Sequence, residues 1–272
     1  MQELQTLYVL EALLARSAAS PHRDDFVLKG GVLLAAFGLR RPTKDIDLQA
    51  SQLSNDEEGV LARIRKIADI DLPDGVVFDS STVATSAIRD GAEYAGIRVK
   101  LIGNLGRARV SIGVDVNFGD PISPPPERIE VPHIVDIGLE PVHLLGYPLA
   151  MVLAEKIVTA IDRGETNTRW RDFADIYVII KRHPIDPDQL AVSLSEVAAH
   201  RKVELRTLLP RLEQMSGTAQ TKWGLWRSRV RREDELPESF AELLAAVSAF
   251  VDPVIGGLAQ GKEWNTLRSA WA

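Results

Sequence analysis

A change of hydrophobic period near Tyr147-Pro148 constrains this chain more than any other feature. Between about Gly75 and Val131 lie short β-like runs, VVFDSSTVAT, AGIRVKLIGNL, ARVSIGVDVNFGD and RIEVPHI, separated by glycine and proline. After Pro148 apolar residues recur at three- and four-residue spacing, which predicts helices to the end of the chain. The segment PLAMVLAEKIVTAIDRG is one of them, with proline at its start and Gly164 just past its last turn. The expected fold class is therefore α+β, with residues 1–147 forming a sheet-bearing part and 148–272 a helical domain.

Within the first part, an amphipathic helix through about Arg16 is followed by the turn-rich SAASPHRDD. FVLKGGVLLAAFGLR then reads as a strand, a glycine turn and a helix. KDIDLQA is a compact alternating strand, with Ile46 and Leu48 on one face and Asp45 and Asp47 on the other. Ser54 followed by Glu57 gives a helix-start signal for the next segment.

Composition removes several chemistries. The chain has no cysteine, which excludes disulfides, thiolate zinc sites and cysteine nucleophiles. Neither an H-E-x-x-H nor a G-x-S-x-G motif occurs, and the histidines are scattered. No apolar stretch approaches the roughly 20 residues of a membrane span, and the first helix carries Glu3 and Glu11, so a cytoplasmic protein is expected. The net charge of −6 argues against a generally basic nucleic-acid binder. Locally the balance reverses: nine Lys/Arg face only Glu204 and Glu213 between Arg201 and Arg232. There Arg227, Arg229, Arg231 and Arg232 lie beside Trp223 and Trp226, which either stack on RNA bases or belong to the core.

Asp45-x-Asp47 places two carboxylates on one side of a strand, where they repel unless a cation compensates. All-oxygen ligation of this kind suits Mg²⁺ or Mn²⁺, with substrate phosphate completing the coordination. Lys29-Gly30-Gly31 precedes a helical run, where absent β-carbons let backbone N–H groups approach a triphosphate. Asp115 is a polar exception in an apolar strand; beside Asp45 and Asp47 it would complete a metal triad, and on an edge strand it would simply be solvated. Lys156 sits among the apolar positions of its helix, either to meet phosphates or to reach solvent. Asp172 and Asp175 share one side of the next helix and could orient Lys156 or the nucleotide, with Arg171 a phosphate partner.

The ordered set Lys29-Gly30-Gly31, Arg41-x-Thr43-x-Asp45-x-Asp47, Val114-Asp115-Val116-x-Phe118-Gly119-Asp120, Tyr147-Pro148, Ala154-Glu155-Lys156, Arg163-Gly164 and Arg171-Asp172-x-x-Asp175 resembles the AbiEii family over roughly residues 26–180. These are nucleotidyltransferase-like toxins of type IV toxin–antitoxin systems, the MenT toxins among them. The resemblance implies a DNA polymerase β-like nucleotidyltransferase core with a mixed sheet, followed by a helical domain that completes the nucleotide pocket and binds tRNA. It implies transfer of a nucleoside monophosphate from an NTP, with tRNA 3′ ends as acceptors, and a cognate antitoxin as partner. By the same resemblance Asp45, Asp47, Lys156 and Asp172 are the catalytic set, with Asp45, Asp47 and Asp115 on the metal. Lys29, Gly30, Gly31, Thr43, Lys156, Arg171 and Asp175 would bind nucleotide. One departure is Gly31, where the family motif often has serine. Two rival functions remain open at this point: nucleotidylation of a protein or small molecule, and a non-catalytic toxin module that only binds nucleotide.

Overall fold

The computed structural model describes residues 2–272 apart from Gln52, 91–92, Ile137, 165–166 and 213–214. It divides into two compact units, one comprising 1–120 and 126–147 and the other 121–125 and 148–272. Glu213, one of the two acids in the basic segment, lies outside the described residues.

The first unit is built on a seven-stranded sheet. Its strands are β1 (Phe26–Lys29), β2 (Asp45–Ala50), β3 (Val76–Asp90), β4 (Glu93–Leu105), β5 (Ala108–Asn117), β6 (Glu127–Val131) and β7 (Val142–Gly146), in the order β3-β4-β5-β2-β1-β7-β6. The β2–β5 and β1–β7 pairs are parallel and the others antiparallel, so the sheet is mixed, as the family resemblance implies. Alternation gives the sheet one apolar face, with Ile46, Leu48, Ile97, Val99, Val114 and Val116 all buried.

Two helices, α1 (Gln2–Ala19) and α3 (Glu57–Ala68), pack against this unit's strands. Gly103 of β4 lets α1 come close, because a β-carbon there would stand 2.5 Å from Val9 Cγ1. Buried Arg16 anchors α1 by donating to Asp74 and to the carbonyls of Ile70 and Val76. The buried charge of Arg16 is thus paired and hydrogen-bonded. The expected end of this helix near Arg16 is three residues short of the observed one.

Two further sequence expectations are corrected and one strand was missed. No separate turn follows β1: Gly30, at φ 69°, begins the short helix α2 (Gly30–Leu33), which a 3₁₀ segment continues through Phe37. Asp56, not Ser54, caps α3, its carboxylate accepting from the N–H groups of Glu58 and Gly59. Strand β7 was not foreseen, because VHLLG is too short to show a period.

The second unit is helical: α4 (Leu149–Arg163), α5 (Trp170–Arg182), α6 (Pro187–His200), α7 (Leu209–Leu212), α8 (Met215–Arg229) and α9 (Phe240–Ile255). Pro148 caps α4, and Gly164 closes it with φ 52°. The apolar α9 is central, meeting α5, α6 and α8. Phe240 contacts Phe173, Trp170 and Trp223 through ring edges and faces 5.3–5.9 Å apart. Helices do not run to the end of the chain: Trp264–Asn265 (β8) and Ala270–Trp271 (β9) form a hairpin whose tryptophans pack on Phe250. No helix among the described residues is long and apolar enough to cross a membrane.

Candidate active site

The site in the first unit is a row of residues crossing four strands. Strand register sets Lys29 opposite Asp47, Asp47 opposite Asp115, and Asp115 opposite Arg98. Directly paired residues point to the same side of a sheet, so all four share the polar face with Asp45. The strand bearing Asp115 does lie beside the one bearing Asp45 and Asp47, the condition on which its sequence reading turned.

Two glycines make room for the carboxylates. A β-carbon on Gly30 would stand 1.9 Å from Asp47 Oδ2, and one on Gly113 would stand 2.3 Å from Asp45 Oδ1. Both distances are far inside van der Waals contact, so each acid as placed depends on the missing β-carbon beneath it, and at Gly30 the positive φ adds its own demand for glycine. Gly31 serves a neighbouring purpose, since its β-carbon would lie 3.1 Å from Thr43 Oγ1 and 3.2 Å from the Arg41 guanidinium. The Thr43 hydroxyl itself points back to the Asp45 carbonyl at 3.3 Å.

Lys29 is buried, and its ammonium donates to Asp120 at 2.9 Å while standing 5.2 Å from the centre of the Tyr147 ring. Gln49, also buried, is best satisfied when its amide donates to the same Asp120 carboxylate and accepts from the N–H groups of Gly119 and Asp120.

Asp115 has both carboxylate oxygens on Arg98, at 2.7 and 2.5 Å. The Arg98 guanidinium is held above its ordinary range, first by this hydrogen bond and further by the charges of Asp115, Asp45 and Asp47, against the opposing effect of partial burial. Among the described residues no group of three or more His, Cys, Asp or Glu side chains is arranged to hold a metal ion. Asp45 and Asp47 nevertheless fit a hard cation, being two oxygen donors on one face with glycine-cleared space beneath them.

The second unit carries its own charged cluster. Lys156 of α4 donates to Asp175 at 2.8 Å and to Asp172 at 3.3 Å, both on α5. All three side chains are at least 89% buried, and the Lys156 ammonium is held by the two carboxylates that the sequence reading set on one side of the next helix. Arg169 lies 2.6 Å from the other Asp172 oxygen. Burial pushes the Asp172 carboxyl upward, but Lys156, Arg169 and Arg171 outweigh it and hold the group below its usual value. Arg171 itself is exposed on the first turn of α5.

The basic segment divides. Trp223 is fully buried, donating to the Pro237 carbonyl and stacking on Trp226 at 5.4 Å, so Trp223 is core and unavailable to bases. Arg227 donates to the carbonyls of Leu236 and Glu233, and Arg232 pairs with Glu235. Arg229 and Arg231 are exposed.

Sequence reasoning missed Arg98, Gln49 and Gly113. The signal for Arg98 was present: alternation puts it opposite Ile97 and Val99, and the two-residue turn Gly106-Arg107 fixes the hairpin register. Seven residues back from Leu105 and seven forward from Ala108 lie Arg98 and Asp115.

The mixed sheet carries carboxylates on adjacent strands beside the glycine-led start of α2, in a chain that continues into a helical unit. The sequence model of the nucleotidyl transferase AbiEii toxins of type IV toxin–antitoxin systems matches residues 12–246. The chain therefore belongs to the AbiEii family and is a nucleotidyltransferase of the toxin type. Its fold is similar to that of JHP933 from Helicobacter pylori, with 15% identity, a TM-score of 0.55, and 94% of this chain and 93% of that one covered. It is also similar to MenT4, a nucleotidyltransferase toxin of Mycobacterium tuberculosis H37Rv, with 18% identity, a TM-score of 0.54, and 94% and 93% covered. No curated protein sequence matches the chain.

Proposed function

We propose that the chain is a divalent-metal-dependent toxin that transfers a nucleoside monophosphate from an NTP to the 3′ end of a tRNA, blocking translation and growth. The observation that carries the reading is the pair Asp45 and Asp47, held on one sheet face over Gly113 and Gly30. Asp45 and Asp47 would hold the metal, which when bound supplies Lewis-acid activation and charge neutralisation. In the first unit Gly30 and Gly31 open the backbone to the triphosphate, with Thr43 as a further nucleotide contact. In the helical unit Lys156, held by Asp172 and Asp175, and exposed Arg171 are the candidate phosphate partners.

In the reaction the acceptor hydroxyl oxygen bonds to the α-phosphorus in line, the bond to the β-phosphate bridge breaks, and pyrophosphate leaves. The hydroxyl proton passes to solvent or to a neighbouring carboxylate, and no protein nucleophile is needed. The tRNA acceptor reading is supported by the exposure of Arg229 and Arg231, since exposed guanidinium groups bind phosphate oxygens. A cognate antitoxin partner accompanies the family's type IV assignment.

Incubation with each α-³²P-labelled NTP, total tRNA, cell lysate and Mg²⁺ tests the reading. Label should appear at tRNA 3′ ends, and Asp45→Ala or Lys156→Ala should reduce it by at least about a thousandfold. Label in protein with none in RNA would replace the acceptor, and full growth inhibition by both variants would remove catalysis from the account.

A further inference from the structure

The polar row Lys29–Asp47–Asp115–Arg98 contains two cations at its ends, and they are held very differently. Lys29 is buried and fastened to Asp120, outside the row. The Arg98 side chain is 40% exposed and makes its ion pair with Asp115, whose own side chain is 14% exposed. The guanidinium fork matches the carboxylate, leaving Asp115 no oxygen unbound. Meanwhile the Asp45 carboxylate has no hydrogen-bond or ion-pair partner among the described residues.

We propose that Arg98 is a resident counter-cation that competes with the divalent metal for Asp115, so that Asp115 joins Asp45 and Asp47 as a ligand only when Arg98 is displaced. This inference rests on the reading of Asp45 and Asp47 as metal ligands. Its physical basis is charge accounting on one sheet face. Three carboxylates on adjacent positions of β2 and β5 repel each other without a cation, and Arg98 supplies one positive charge from the next strand. A metal ion entering the face must either make do with two carboxylates or exchange with that charge. Because Arg98 is exposed and singly anchored, the exchange requires only a side-chain rotation, with the backbone of β4 unmoved. Arg98 is therefore a positioning residue that sets how readily the face accepts a cation before substrate arrives.

The test is Mn²⁺ binding to the intact protein without nucleotide, read as loss of the free-ion electron paramagnetic resonance signal. Arg98→Met should bind Mn²⁺ about tenfold more tightly than wild type, the factor expected when one charged hydrogen-bonded competitor is removed. Arg98→Lys, which keeps the charge and loses the fork, should fall between the two. Adding Asp115→Asn to Arg98→Met should return the affinity to near the wild-type value. Equal or weaker binding by Arg98→Met, or a gain that survives Asp115→Asn, would overturn the proposal. A separate arm, Asp45→Asn, reports on the underlying reading: if it leaves Mn²⁺ binding untouched in both backgrounds, the metal assignment fails, whatever Arg98 does.

Discussion

In the second unit Asp172 is held from two sides. Its side chain is 5% exposed, and one oxygen faces Lys156 while the other faces Arg169. Removing one partner from a buried charged set leaves the others uncompensated, and Lys156 here keeps Asp175. Asp172→Asn is expected to cost about 2 kcal/mol at pH 7, the scale of a hydrogen bond between charged groups. The pH dependence follows from the sign of the shift. The folded protein holds this carboxyl below its ordinary value, so its contribution is complete above the unfolded-state value of roughly 4 and is lost as pH falls through the folded-state value. Urea unfolding of the two proteins should therefore show a gap that narrows on acidification from pH 7 to below about pH 4. A gap independent of pH would show that the carboxylate's charge is not what stabilises the cluster.

At the scale of elements, the close parallel approach of β2 and β5 does the positioning. Gly113 faces Asp45 across that pair, and any β-carbon there meets the acid's oxygen. Asp45 is only partly buried, so in a Gly113→Ala protein it can swing away into solvent and leave the strands intact. The expected outcome is a kcat lowered by more than about tenfold, as a misplaced reacting group commonly costs. Stability should change by less than about 1 kcal/mol, because alanine in a strand recovers some of what glycine costs there. Parallel denaturation and nucleotidyl-transfer measurements separate the two. An active Gly113→Ala enzyme would mean that Asp45 does not need the placement the strands give it. The same element-level view explains the misplaced start of α3: the sequence offers both Ser54 and Asp56, and a carboxylate two residues nearer the helix satisfies two N–H groups at once.

Across the whole molecule the net charge is −6, so a polyanion is repelled except where basic side chains are exposed. Of the four arginines singled out from the sequence, Arg227 and Arg232 serve the protein's own loop, which leaves Arg229 and Arg231 for a partner. Replacing both with serine should weaken tRNA binding and lower the dependence of log affinity on log salt by about 1.4, near 0.7 per single-strand phosphate contact. Filter binding across a salt series measures this, and an unchanged slope would place the RNA elsewhere on the surface.

The sequence alone determined the change from sheet to helix at Tyr147-Pro148, the shared face of Asp45 and Asp47, the ends of α4 and the spacing of Lys156, Asp172 and Asp175. These depend on interactions within a few residues: the two-residue alternation of a strand, the three- and four-residue repeat of a helix, and the backbone freedom of glycine. Tertiary structure alone decided that Asp115 stands beside Asp47, that Lys29 turns to Asp120, and that Trp223 is core. Each of those requires two segments far apart in the chain to meet at one register or one packed position. A local pattern says which way a side chain faces, and only the folded chain supplies what it faces.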